Sequence, residues 1–554
     1  MELPFSVGII LAGVVMAAVH VGWDRVGRRR LLAQLRHNWA RPVARTRDMA
    51  AISQYHVALA GDEATSIDER TWRDLNLDDV YAVLDRTTSS VGQQRLYHRL
   101  RSRTSVTQVP AFDALVTAVS EVPLRERCQV ALSRLASSAG YALYRLAQPG
   151  AIRLHWWHYA SPFVAVLMLA SVARYLWVGT VPGVTLLLVP VCSVFWALNT
   201  RRMGGVIEPF RMLGPLLAVA AALHGVERIS HSDITAPLLS DVGALDRLRA
   251  IAGWLTRDAA GMDPLSAAFV ELAGFLFALD SLALLLGSRE LRRHGAALGR
   301  VLASVGDVDA AVAIASFRDD AKDWCRPVFT RVGAALTVRD IRHPLLLEAV
   351  RNSIALGPPH GVLLTGSNMS GKSTLLRSLG VAVIMSQTVG TCLASSYSAP
   401  LLDVRSCMGR SDSLIEGRSY YLDEVQGILS LVKASHSGAA HLFLLDELFR
   451  GTNATERIAE AEATLLELTS APVSHIVVAA THDTELASLL GRAFAAMHLA
   501  DREVDGDLVF EYRLAAGPST TRNALALLER YGAPRTLIDR AAARARRLEG
   551  QMDA

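Results

Sequence analysis

The sequence predicts an α/β sheet domain at the C-terminal end of a largely helical chain whose helical part is interrupted by apolar segments long enough to cross a bilayer. Three observations predict this. From Arg342 onward, short apolar runs (Val362–Leu364, His441–Leu445, His475–Ala480 and Leu508–Tyr512) alternate with helix-like segments, the pattern of a sheet with crossover helices. Residues 70–150 and 203–325 instead carry apolar residues at helical spacing, as in Asp78-Asp-Val-Tyr-Ala-Val-Leu84 and Val91–Leu100. Three stretches, Phe5–Trp23, Trp156–Ala173 and Val181–Thr200, approach the roughly 20 apolar residues a spanning helix needs.

Tryptophans near the ends of these stretches (Trp23, Trp156, Trp157, Trp196) suit the membrane–water interface. Arg25, Arg28, Arg29, Arg30, Arg36, Arg41, Arg45 and Arg47 follow the first stretch. Arg153 precedes the second, and Arg201 and Arg202 follow the third, whereas the loop between second and third carries Arg174 alone. The bias of basic residues puts the N-terminus outside and residues 24–152 and 201–554 in the cytoplasm of an inner membrane protein with three spans. Phe5–Trp23 lacks a basic leading segment and an A-x-A site, so it reads as an uncleaved anchor. The arginines at 25–47 have two readings, topology charge resting on anionic headgroups or a nucleic-acid surface. The run Pro264–Leu286 carries Glu271 and Asp280, which are costly in hydrocarbon, and reads as a soluble core helix. Arg289, Arg292 and Arg293 read as a solvated helix face.

The chain has 554 residues, enough for three or four domains at about 150 residues each. Half of them are hydrophobic (51%), which is high for a wholly soluble chain and agrees with the spans. A net charge of +4 is too small to argue for nucleic acid by itself. The five cysteines (128, 192, 325, 392 and 407) are scattered without a C-x-x-C pair, so neither a disulfide framework nor a zinc site is expected. No internal repeat is evident.

The chemistry concentrates in the C-terminal third. Gly366-Ser-Asn-Met-Ser-Gly371-Lys372-Ser373-Thr374 follows the apolar run Gly361–Thr365 and opens a helix-like run, Leu375–Val389. This is G-x-x-x-x-G-K-S between a strand and a helix, a phosphate-binding loop. Its backbone N–H groups cradle phosphates, Lys372 binds the outer ones and the Ser373 hydroxyl holds Mg²⁺. The apolar run Leu442-Phe-Leu-Leu ends in Asp446-Glu447, a strand delivering two carboxylates. Asp446 would hold Mg²⁺ and Glu447 would polarise the attacking water as general base. Ala480-Thr-His482 closes the strand at 475–480, where a histidine can contact the γ-phosphate or the water.

These residues resemble the ATPase domain of the MutS mismatch-repair family. The loop at 366–374, Asp446-Glu-Leu-Phe-Arg-Gly-Thr-Asn453 and Thr481-His-Asp-Thr-Glu-Leu486 are similar to the family's G-P-N-M-G-G-K-S-T, D-E-x-x-R-G-T-S and T-H-x-x-E-L. Glu416-Gly-Arg-Ser-Tyr-Tyr-Leu-Asp-Glu424 resembles its G-R-S-T-F-x-x-E segment, and Arg342-His-Pro344 its R-H-P. Val83-Leu-Asp85-Arg-Thr87 with Gly92, Arg95 and Leu100 resembles the start of its helical core. The resemblance implies a P-loop ATPase domain of the ABC type, preceded by an all-α core that the membrane helices interrupt. It implies ATP and Mg²⁺ as cofactors, with Gly366, Asn368, Gly371, Lys372, Ser373 and Thr374 on the nucleotide. It also implies a homodimer with composite sites, in which Ser419 reaches the partner's nucleotide.

The sequence departs from the family at its N-terminal end. The family reads mismatches through an N-terminal Phe-x-Glu; here Phe269-Val-Glu271 lies in an apolar helix run and reads as core. The expected plan is an anchor (1–23), a basic linker (24–69), a first helical core part (70–152), a membrane hairpin (153–202), a second helical part (203–335), the ATPase domain (336–522) and C-terminal helices (523–554). The expected function is a membrane-anchored ATPase coupled to DNA binding in a mismatch-repair-related or other DNA transaction. The alternative is a membrane-bound ATP switch acting on protein partners without DNA.

Overall fold

A computed structural model describes residues 23, 25–59, 66–103, 105, 107–180, 183–226, 232–255, 264–331, 333, 335–357, 361–367, 370–408, 420–470, 473–483, 485–504, 507–519 and 532–552. The chain divides into two compact units. One holds residues 1–61, 84–98 and 110–320 and the other 62–83, 99–109 and 321–554. The segment 70–152, expected as one helical block, is thus shared between them. Its periodicity predicts helices, but not the surface on which each helix packs.

The first unit is helical. Its longest elements are α1 (Trp156–Val178), α2 (Gly183–Arg211) and α3 (Leu279–Ala321). Helices α1 and α2 bury Trp157, Val164, Met168, Leu188, Cys192 and Phe195 between them. They turn other large apolar side chains outward: Phe163 is 73%, Leu186 74% and Trp177 91% exposed. These are the two helices among the described residues long and apolar enough to cross a membrane. The stretch Phe5–Trp23 lies outside the described residues except for Trp23.

The run 264–286 is not one helix. It breaks at residues 277–278, where Ala278 takes φ +47°, into a helix Pro264–Leu276 and the start of α3. The break packs Phe275–Ala278 on the α1–α2 pair, and the Cys192 thiol donates to the Leu276 carbonyl at 3.1 Å. One turn on, Trp157 Nε1 donates to Asn199 Oδ1 (2.9 Å) and Asn199 Nδ2 to Ser281 Oγ (2.7 Å), so a short polar chain fixes α3 against the pair. Glu271 is exposed and Asp280 lies 3.7 Å from Arg211; the Phe269 side chain is outside the description.

Charge pairing fixes the rest of this unit. Asp85 is fully buried between Arg45 (2.5 Å) and Arg47 (2.8 Å), and accepts from Thr87 Oγ1 and Gln93 Nε2. Arg36 pairs with Glu126 at 2.5 Å. Three arginines of the basic segment therefore pair with carboxylates of this unit. Arg95 makes a two-pronged contact with Asp307, both arms 3.0 Å. Asp309 accepts from the Thr88 and Ser89 amides and the Ser89 hydroxyl, beside Gly92. A Cβ on Gly92 would lie 2.1 Å from Asp309 Oδ2, so only glycine fits that approach.

The second unit is built on a six-stranded sheet of order β10-β9-β4-β8-β7-β6. Its strands are β4 (Gly361–Thr365), β6 (Asp403–Met408), β7 (His441–Asp446), β8 (Ile476–Ala480), β9 (Phe494–Val504) and β10 (Asp507–Ala516). All neighbours are parallel except β9 and β10, which pair antiparallel. A four-stranded sheet joins β1 (Val328–Phe329), β5 (Ser396–Ala399), β2 (Leu336–Ile341) and β3 (Asn352–Leu356). Helices α4 (Lys372–Val389), α5 (Tyr420–Ser435), α6 (Ala454–Ser470) and α7 (Arg535–Met552) complete the unit. The early segment 62–83 belongs here because its carboxylates serve β6. Asp74 accepts from Ser406 Oγ (2.8 Å) and the Met408 amide (3.0 Å), and Asp68 pairs with Arg405. Every residue of β4 and β8 is buried, as continuous apolar runs in a covered parallel sheet require.

Candidate active site

The parallel order β4-β8-β7 brings three motifs together, because each follows the C-terminal end of an adjacent strand. Ligands of open α/β sheets bind at such ends. After β4 the chain enters the loop 366–371. Gly366 (φ +138°) and Gly371 (φ +93°) take backbone conformations that side chains disfavour, and Gly371 caps α4. Lys372, the first residue of α4, folds back so that Nζ donates to the carbonyls of Gly366 (2.8 Å) and Ser367 (2.9 Å). Burial lowers its pKa, opposed by the nearby Asp446 and Glu447. Asn368 lies outside the described residues, as does Ser419.

At the end of β7, the Ser373 hydroxyl hydrogen-bonds Asp446, whose pKa is raised chiefly by burial. Asp446 Oδ1 is buried with no hydrogen-bond partner among the described residues. An orphaned carboxylate oxygen beside a hydroxyl is costly by itself, and suits a hard cation that takes oxygen ligands. No group of three or more His, Cys, Asp or Glu among the described residues could hold a metal alone. Ser373 and Asp446 therefore fit Mg²⁺ only if phosphate oxygens and water fill the rest of its shell.

Glu447 sits just past the strand at φ +52°, and Phe449 follows at φ +57°. Two non-glycine residues in this region concentrate backbone strain at the site. The Glu447 amide is tied to the Ala480 carbonyl (2.9 Å) and the Thr481 amide to Leu364 (3.0 Å), which stitches the three strand ends. His482 Nε2 lies 2.7 Å from Glu447 Oε1 and 3.4 Å from Lys372 Nζ, while Arg450 holds Glu447 Oε2 at 2.8 Å. The His482 contact is the main cause of the lowered Glu447 pKa, so this carboxylate is ionised at neutral pH. Lys372, Ser373, Asp446, Glu447 and His482, expected from the sequence, thus form one cluster.

Neighbouring residues brace this cluster; Glu424, Phe449, Gly451 and Asp483 lie in the motif segments, but the sequence assigns them no contacts. Arg457 clamps Asp483 with two bonds (2.9 and 2.7 Å), fixing the turn that carries His482. Glu424 accepts from the Phe449 amide at 2.6 Å, and Gly451 lies close under Tyr421, so the start of α5 braces the strained turn after Asp446. A 120 Å³ cavity opens between Glu447, Arg450, Arg457 and His482. On the other side of the loop, a 190 Å³ cavity is lined by Ser370, Gly371 and Thr374 together with His343, Asn352 and Tyr512. Burial drives the His343 pKa down to about 4, so its ring is neutral there. Gly371 and Thr374 of the cavity lining belong to the loop motif, and His343 to the Arg342-His-Pro344 segment.

Residues 362–549 match the family model of MutS domain V. Among similar proteins are two described as "DNA mismatch repair protein MutS", from Streptococcus pyogenes serotype M5 (strain Manfredo) and serotype M3 (strain ATCC BAA-595 / MGAS315). Each is 31% identical over 264 residues, covering 46% of this chain and 30% of the relative. The match thus spans less than a third of these relatives' length.

Proposed function

We propose, from the premise that the chain belongs to the MutS family through its C-terminal domain, that it is a membrane-anchored ATPase working as a homodimeric ATP switch coupled to DNA. The observation that carries this reading is the cluster of Lys372, Ser373, Asp446, Glu447 and His482 at three adjacent strand ends. The glycine-framed loop presents N–H groups to phosphates, and Lys372 exchanges its carbonyl partners for phosphate oxygens. Ser373 and Asp446 would hold Mg²⁺, which supplies charge neutralisation on the phosphates. Glu447, ionised and oriented by His482, accepts the proton of the attacking water. The 190 Å³ cavity takes the base. Ser419 completes the site of the partner subunit, so turnover depends on the dimer.

Membrane attachment rests on the outward apolar faces of α1 and α2. DNA is the partner that the relatives' name suggests, and a protein-directed switch is the alternative. The test uses full-length protein solubilised in detergent, measuring binding to duplex, branched and single-stranded DNA with and without ATP across salt concentrations. The DNA reading expects binding that depends on ATP and weakens steeply with salt. ATP turnover without binding to any of the three DNAs would replace it with the protein-directed switch. Extraction of the protein from membranes by high salt alone would remove the anchor.

A further inference from the structure

Outside the nucleotide site, the second unit holds two cysteines in direct register. Cys325 follows α3 by a few residues, and Cys392 lies just beyond the end of α4. They form an isolated antiparallel bridge in which each amide donates to the other's carbonyl, at 2.8 and 3.0 Å. Such a hydrogen-bonded pair sets the two Cα atoms about 5.5 Å apart, within the range that a disulfide spans. We propose that Cys325 and Cys392 are an oxidisable dithiol, a modification site that takes a hydroperoxide and closes to a reversible disulfide.

The two thiols hydrogen-bond each other, which lowers the Cys325 pKa below the usual thiol value, and Cys325 is partly exposed whereas Cys392 is fully buried. Cys325 is thus the entry point and Cys392 the resolving thiol. The Cys325 thiolate attacks the peroxide: an S–O bond forms, the O–O bond breaks, and the departing hydroxide takes a proton to leave as water. The Cys392 sulfur then attacks the sulfenic sulfur, forming S–S and breaking S–O, with a second water leaving. The dithiol loses two electrons and two protons, and the peroxide is reduced to two waters. Cys128 and Cys407 do not compete, because both are buried and burial raises their pKa to about 12.

The bond would close a loop containing β1, β2, β3, β4, the phosphate loop and α4. It would fasten the segment just before β1 to the far end of the helix that begins at Lys372. Ordering this loop in the unfolded chain predicts a rise in melting temperature on the order of 5 °C for the oxidised protein.

The test treats full-length protein in detergent with hydrogen peroxide, then maps peptides by mass before and after dithiothreitol. The expected result is a 325–392 cross-linked peptide, reversed by dithiothreitol, with Cys128 and Cys407 still alkylable after denaturation. In Cys392→Ser, Cys325 should instead accumulate as a sulfenic acid that dimedone traps. Cys325→Ser should leave Cys392 unmodified and abolish the thermal shift. The proposal is overturned if peroxide oxidises Cys325 to sulfinic acid in the wild type without a cross-link, or if Cys128 and Cys407 oxidise as fast.

Discussion

Lys372 spends its charge on two loop carbonyls and lies 3.4 Å from the histidine of another strand end. In the proposed site Lys372 is the cation that would meet the phosphates, so Lys372→Ala should weaken nucleotide binding by at least about 100-fold, on the scale of a charge-assisted contact. Titration with a fluorescent ATP analogue checks this, and unchanged affinity would remove Lys372 from the site. Lys372, Asp446, Glu447 and His482 were legible in the sequence because each lies beside an apolar run that ends a strand. The pairings Arg457–Asp483 and Glu424–Phe449 are not legible there, although Glu424, Phe449 and Asp483 lie in the motif segments, because the partners lie 26 and 25 positions apart and only folding joins them. Cys325 and Cys392 stand 67 positions apart in the sequence, and only folding brings them into register.

At the scale of elements, the packing of the segment Ser89–Gly92 on α3 carries the sharpest stability predictions. Gly92→Ala forces a methyl into the Asp309 carboxylate and should destabilise the first unit by roughly 2–4 kcal/mol, as overpacking combined with a disturbed buried charge does. Thermal unfolding of the full-length protein measures it. Asp309 is completely buried, and burial raises its pKa to about 6 despite the hydrogen bonds from Ser89 and Thr88. An acid whose folded pKa lies above its unfolded value is favoured by the fold when protonated. Its contribution is therefore fully present below about pH 4 and is lost as pH rises through about 6, by roughly 2–3 kcal/mol in total. The stability difference between wild type and Asp309→Asn should shift in the variant's favour across that window and stay flat above pH 7. A flat difference throughout would place the Asp309 pKa at its ordinary value.

The same scale decides which strands could be read in advance. β4, β7 and β8 are continuous apolar runs, and the expected run at 508–512 lies within β10. β6 is hidden in the sequence because Asp403 and Arg405 break its apolar pattern. Both are satisfied from elsewhere in the unit, Asp403 by Arg103 and His441 and Arg405 by Asp68. The helix break at 277–278 was hidden for a related reason: 264–286 has one continuous apolar composition, and its break is set by packing on α1 and α2.

For the whole molecule, the two units are each assembled from separated stretches of chain, which no linear reading of domain boundaries anticipates. The proposed composite site makes a prediction at this scale. Ser419→Ala and Lys372→Ala chains should each be inactive alone. Mixed, they form heterodimers in which one site has both Lys372 and the partner's Ser419 intact and the other has lost both. Mixing should therefore restore part of the ATP turnover, and no recovery in a verified heterodimer would argue that each chain works alone.

If these three strand ends form an ATP-hydrolysing site with Glu447 as its base, Glu447→Gln should separate nucleotide binding from hydrolysis. The amide keeps the size of the side chain and loses the proton acceptor. ATP binding should remain within a few-fold of wild type while single-turnover hydrolysis falls by about 10²–10⁴-fold, the range general-base catalysis supplies. Wild-type turnover in Glu447→Gln would contradict the assignment.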